Sequence, residues 1–223
     1  MVRLVTGGCS FTQYFWNTWA DYLGMHYDEF EQTGHWAIDN ATVARRVMDT
    51  VKSGDDVVIS WTGMDRWAPY KNGKWQYYGC IASNKDYFVN HYHPIERFTT
   101  TMDYIKMVEL DSKVKGYNVW HFTSYPFFQG EVEKEIDPQL VDICKSYNIK
   151  NLYIDKDLDT FKTNLNDTTT SHKYNSTDIH PTPNTHWQWL EQVIAPILNI
   201  NLDSKVKDRV KYDQERVLNG DVD

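Results

Sequence analysis

Val2-Arg3-Leu4-Val5-Thr6-Gly7-Gly8-Cys9-Ser10 opens with an apolar, β-prone run that ends in two glycines, and a serine follows one residue on. Such a run reads as a strand over residues 3–6, and the paired glycines end it in a tight turn. A helix-like stretch over 13–23 comes next, carrying Trp16, Trp19, Ala20, Tyr22 and Leu23. Strand, turn and helix in this order lift a hydroxyl to the carboxyl edge of a sheet, where open α/β sheets form their ligand crevice. A helix N-terminus there adds N–H donors for developing negative charge. Near the other end, Asp178-Ile179-His180-Pro181 supplies a carboxylate and an imidazole. Serine, histidine and aspartate are the parts of a nucleophile–base–orienter device.

The rest of the chain alternates. Strands are expected at 57–61, 119–123 and 152–154, with a weaker one at 27–30. Helices are expected at 42–52, 95–115, 138–147 and 185–198. Val43, Val47 and Val51 form one apolar stripe at helical spacing, and Gly54-Asp55-Asp56 stops that helix before the next strand. Strands separated by helices imply a five-stranded parallel sheet in a three-layer α/β domain, with right-handed crossovers. One domain over 1–200 is expected, with a charged extension over 201–223 that reads as solvated. Two segments break the alternation. Residues 66–93 are rich in Trp and Tyr among Gly and Asn and read as an elaborated loop beside the substrate. Residues 155–177 are polar and read as a long surface loop.

The 223 residues suit a single core. A net charge of −8 without a basic run excludes nucleic acid as the main ligand. Three widely spaced cysteines, Cys9, Cys80 and Cys144, form neither a zinc ribbon nor a disulfide framework. No apolar run approaches the ~20 residues that span a bilayer, and no leader pattern stands at the start, so a cytoplasmic protein without a membrane partner is expected, with later release or packaging in a virion still open. Nine Trp and fifteen Tyr exceed the needs of one core, so some of these rings line a cleft or a partner surface.

Gly8-Cys9-Ser10-Phe11-Thr12 resembles the first motif of the SGNH (GDSL-like) hydrolase superfamily, commonly Gly-Asp-Ser, with Cys9 in the aspartate position. The form Gly-Cys-Ser-Phe-Thr is similar to variants in some phage and bacterial branches. The resemblance runs over about residues 3–198 and implies a flavodoxin-like fold and a serine esterase that needs no cofactor. It makes Ser10 the nucleophile and His180 the base, with His186 as the competing histidine. Gly34 falls in the interval of the second motif, where a glycine N–H joins the oxyanion hole, or is a plain turn glycine. Asn40 is either an N-cap or a site residue. The third motif, Gly-x-Asn-Asp, is matched by Thr62-Gly63-Met64-Asp65. Methionine cannot donate the hydrogen bond of the missing Asn, which leaves Thr62, Gly63 or Arg66 to replace it.

The family's Asp-x-x-His becomes Asp178-Ile179-His180, one residue shorter, with Thr177 in the usual aspartate position. In an extended segment residues i and i+2 point the same way, so Asp178 reaches His180, or a backbone carbonyl orients the ring. Arg66 either holds an acidic substrate group or pairs with Asp65, and Trp61, Trp67 and Asn40 are further substrate-binding candidates. Zinc would accept Asp178, His180, His186 and His172, but their spacing matches no common zinc signature, and no metal is expected. The function implied is hydrolysis of a small acyl ester, O-acetyl groups on a glycan included, by an acyl-enzyme route. The alternative is a family fold that has lost catalysis and serves as a binding or virion-associated module.

Overall fold

A computed structural model describes residues 2–68, 70–76, 93–127, 137–165 and 180–221. The central sheet holds β1 (Arg3–Gly8), β2 (Glu29–Gln32), β3 (Asp56–Trp61) and two strands from later in the chain. Between β3 and those strands stands a separate hairpin, β4 (Tyr70–Lys71) with β5 (Lys74–Trp75). The later sheet strands are β6 (Asn118–Thr123) and β7 (Leu152–Tyr153). All sheet pairings are parallel, in the order β2-β1-β3-β6-β7. This is the flavodoxin-like winding, and its strand order reverses between β1 and β3, where such sheets bind ligands.

The central strands β1, β3 and β6 are covered on both faces, as parallel sheets require, while the edge strands β2 and β7 are partly exposed. Side chains alternate across the pleat. Val5, Val57, Ile59, Trp61 and Val119 face one layer, made by α2 (Asn40–Thr50), α3 (Pro94–Lys115) and α4 (Pro138–Ser146). Leu4, Val58 and Phe122 face the other. That second layer holds α1 (Trp19–Gly24), α6 (Pro183–Trp189), α7 (Ala195–Leu198) and α8 (Ser204–Asn219).

The differences from the sequence expectation have physical causes. The first helix begins at Trp19 rather than at residue 13, because Thr18 and Asp21 form a capping box. The 11–18 stretch is a turn and an extended arm: Thr12 and Gln13 both donate N–H to the Cys9 carbonyl, at 2.9 and 3.1 Å. Ser10 therefore does not sit on a helix N-terminus. The helix expected over 185–198 is interrupted by a π turn, Leu190–Ile194. Pro196, with no N–H to give, stands in the following turn. The polar stretch after residue 155 contains a helix, α5 (Leu158–Asn164), capped by Asp157, while residues 166–179 lie outside the described ones.

The charged C-terminal stretch is not simply solvated. Its helix buries Val206, Val210 and Val217, and the first two join the core cluster of the second layer. Asp213, also buried, accepts from Tyr22 Oη at 3.0 Å and Asn17 Nδ2 at 2.9 Å, and pairs with Arg209. Those contacts bind α8 to α1 and to the arm before it. Among the described residues no helix is long and apolar enough to cross a membrane.

Candidate active site

Ser10 follows β1, Gly34 follows β2, Thr62 and Gly63 follow β3, and Tyr125 follows β6. In a parallel sheet these positions share one edge, the carboxyl edge at the β1/β3 reversal. A cavity of about 610 Å³ opens there. Ser10, Tyr14 and Phe15 wall it from the turn after β1, and His35, Trp36 and Ala37 from the loop after β2. Arg66, from the loop after β3, and His180, from near the C-terminal end, complete the wall.

The nucleophile turn is built from its glycines. Gly8 has φ +153°, and a Cβ there would strike Thr12 Oγ1 and lie 2.6 Å from the Ser60 carbonyl oxygen on the neighbouring strand. No side chain fits. The Thr12 carbonyl then accepts from Gln32 Nε2 at 2.8 Å and Thr18 Oγ1 at 2.5 Å, which pins the far side of the turn. The loop after β2 docks on the same turn: His35 N donates to the Gly8 carbonyl at 3.1 Å. A Cβ on Gly34 would lie 3.1–3.3 Å from Thr12 and Gln13. Gly34 thus brings its backbone as close to the serine turn as packing allows.

His180 reaches this edge through aromatic contacts. Its ring stacks on Tyr14 at 3.8 Å and meets Phe11 edge-on at 5.5 Å. Trp16 Nε1 donates to the Pro181 carbonyl at 3.0 Å, so the arm after the serine also holds the backbone beside the histidine. Sequence reading missed both residues as site builders, assigning them to a helix. The adjacent aromatics were visible, but their contact with residue 180 crosses most of the chain. Asp178 lies outside the described residues, as do Thr177 and His172. His186, the competing base, is fully buried on α6 and does not line the cavity.

The third strand end departs most from expectation. Asn40 is not the cap of α2; Asp39 is, accepting from Thr42 N at 3.0 Å. Asn40 points inward instead. Its Oδ1 accepts from Thr62 N at 2.9 Å, and its Nδ2 donates to the Thr62 carbonyl at 3.1 Å and to Thr101 Oγ1 at 3.3 Å. This corrects two assignments. Asn40 is a buried tie and not a substrate contact, and the Thr62 N–H is spent on it. The Thr62 hydroxyl is closed to solvent without a partner among the described residues, so it offers nothing to an oxyanion. Trp61 is also corrected, being fully buried in the core of the α2–α3 layer. Trp67 is half-buried and is not among the described residues that wall the cavity. The Met64 side chain packs against the core, while its carbonyl accepts from Arg97 Nε at 3.1 Å.

Cys9, beside the serine, is buried and donates to Ser124 Oγ at 3.6 Å, while Ser124 shares a 2.8 Å bond with Ser60 Oγ. This fits a small packed residue under the turn. Tyr125 packs on Phe11 at 4.9 Å, and burial pushes its phenol well above the usual range. Among the described residues no cluster of His, Cys, Asp or Glu is arranged to hold a metal.

By sequence, neither a protein-family model nor a curated protein matches the chain. By structure, it resembles a Bacillus subtilis protein at 12% identity and TM-score 0.54, covering 90% of this chain and 58% of that one. The chain therefore spans little more than half of that protein's length. It also resembles a catalytic mutant of an acetylxylan esterase from Geobacillus stearothermophilus, at 12% identity and TM-score 0.52, covering 90% of this chain and 95% of the esterase. With its five-stranded parallel sheet and flanking helices, the chain has the fold of the SGNH (GDSL-like) hydrolases.

Proposed function

We propose that the chain is a serine ester hydrolase that removes a small acyl group, O-acetyl groups on a glycan included. The observation that carries this reading is that Ser10 and His180, from opposite ends of the sequence, wall one cavity at the carboxyl edge of the sheet. In this reading Ser10 Oγ attacks the acyl carbon while His180 takes its proton. The C–O bond to the alcohol breaks, His180 returns the proton to that leaving oxygen, and the acyl group stays on Ser10. Water, deprotonated by His180, then releases the acid and regenerates the serine. The N–H groups of Ser10 and Gly34 face the developing oxyanion, with Gly63 as the third donor in place of the family's Asn. Asp178 is the proposed orienter of His180. Cytoplasmic placement belongs to the same proposal, and a virion association to the second reading below.

Met64 in the Asn position and the engaged Thr62 N–H favour a second reading, a binding module without turnover. One experiment separates the two. Wild type and Ser10→Ala are assayed on p-nitrophenyl acetate and butyrate, with fluorophosphonate labelling in parallel. Turnover lost in Ser10→Ala, with label on Ser10, supports the hydrolase. A folded protein with neither turnover nor label supports the binding module.

A further inference from the structure

Arg66 is the one side chain of fixed charge among the described residues that wall the cavity, in a chain whose net charge is −8. Its backbone is held from two sides. Arg66 N donates to the Gly63 carbonyl at 3.2 Å, and the Arg66 carbonyl accepts from Arg97 Nη2 at 2.6 Å. The guanidinium leans on Tyr125, with Nη2 3.5 Å from the phenol oxygen and the charge 6.0 Å from the ring centre. Among the described residues none of the ion pairs involves Arg66, and Asp65 acts on it only at longer range. A guanidinium carries five donors in a rigid fork, and the phenol takes one at most. A half-buried cation with most of its donors uncommitted among the described residues, in the wall of the cavity that Ser10 also lines, is a built anion receptor.

The same cavity wall carries exposed aromatics. Phe15 and Trp36 are 68% and 66% exposed, although the fold has two cores to bury them in. Trp36 is stacked with His35, ring planes 12° apart. The loop holding both passes through Ala37 at φ +61°, a left-handed conformation that a non-glycine residue adopts at a cost. Flat exposed rings in the cavity wall suit the C–H faces of a pyranose ring. The Arg66 fork in the same wall matches the plane of one carboxylate. A single cation answers a single negative charge, whereas a phosphate dianion would call for more.

We infer that Arg66 selects the substrate by binding its carboxylate, so that the site takes acyl esters of acidic sugars in preference to neutral ones. This rests on the hydrolase reading above and adds a specificity-determining residue to it.

The test compares acetate release from an O-acetylated hexuronic acid and from its uronate methyl ester, the same sugar without the charge. Wild type, Arg66→Gln and Arg66→Lys are measured. In wild type kcat/KM is expected to favour the free acid by roughly tenfold or more, the scale of one charge-assisted contact. The ratio falls to near one in Arg66→Gln. It is partly kept in Arg66→Lys, which retains charge but not the fork. Because the ratio is taken within each variant, a general loss of folding does not imitate the result. A ratio near one in wild type, or one unchanged in Arg66→Gln, overturns the assignment and leaves the hydrolase reading standing.

Calorimetry on Ser10→Ala with the same two sugars covers the case of no hydrolysis. Binding of the acid that disappears in Ser10→Ala/Arg66→Gln keeps the carboxylate site and overturns hydrolysis. Absence of Arg66-dependent binding there overturns the inference as well.

Discussion

The Tyr14 ring lies flat on the imidazole of His180, centroids 3.8 Å apart and planes 16° from parallel, joining residues from the two ends of the chain. Two residues on, Trp16 donates to the Pro181 carbonyl. The arm behind the serine is therefore also the support of the histidine. Tyr14→Ala is expected to lower Ser10-dependent ester hydrolysis about tenfold or more by loosening the ring's orientation, and Tyr14→Phe to keep most of it. Trp16→Phe should cost about 1 kcal/mol of stability, one net hydrogen bond. Ester kinetics alongside thermal unfolding of the three variants check this.

Gly8→Ala is expected to be severe. A Cβ there meets a backbone carbonyl on β3 at 2.6 Å, which cannot step aside, and the residue sits at φ +153°. A loss of about 2–3 kcal/mol or more is expected, read as a lowered denaturant midpoint and loss of Ser10 labelling.

Asn40→Ala removes three buried hydrogen bonds and leaves the N–H of Thr62 unpaired. A cost of about 2–4 kcal/mol is expected, since a stranded buried donor loses its full desolvation energy. Asn40→Asp keeps the acceptor for Thr62 N but loses both donations, so it should fall below wild type too. Chemical denaturation of both variants measures the difference.

Asp213→Ala tests whether the last helix belongs to the folded unit. Asp213 is buried and holds Tyr22, Asn17 and Arg209. Losing it should cost about 2–4 kcal/mol. If the helix were a loose appendage, the unfolding midpoint of Asp213→Ala would match wild type.

Burial holds His121 neutral. Its pKa is lowered to about 3, its Nδ1 accepts from Trp61 Nε1 at 3.2 Å, and its Nε2 has no partner among the described residues. The unfolded chain takes a proton at about pH 6.5, while the folded one resists it until about pH 3. Stability from this group is therefore full above about pH 6.5 and falls by up to about 1.4 kcal/mol per pH unit below it. His121→Gln, which keeps an acceptor for Trp61, is expected to flatten the decline between pH 7 and pH 4. An equal slope in wild type and variant would show that other groups carry the pH dependence.

The sheet was legible because its signals are local. Apolar, β-prone runs and the stop at 54–56 mark strands and turns by nearest-neighbour chemistry, and all five strands stand where those patterns put them, within two residues. β1, however, runs on through Gly7 and Gly8, which pair with Ile59 and Ser60 instead of ending it. Helix ends were less legible where a side chain overrides the pattern, as Thr18 does at Trp19 and Pro196 does inside the last long helix. Ser10, Arg66 and His180, which wall the cavity, could be singled out by type and order. Trp61, Thr62 and Asn40 could not be judged, because the same residue types serve a core, a tie or a wall depending on which way they point.

What the sequence determined by itself, then, is the alternation of parallel strands and helices and the position of Ser10 just past the first strand, since periodicity and glycine chemistry act over a few residues. The flavodoxin-like winding was implied only by the family resemblance. Only the tertiary structure decided which histidine reaches the serine's cavity, that Asn40 spends the Thr62 N–H, and that the charged last helix packs against the first. Those outcomes rest on contacts between residues tens to nearly two hundred positions apart, whose geometry is set when two layers close over a common sheet.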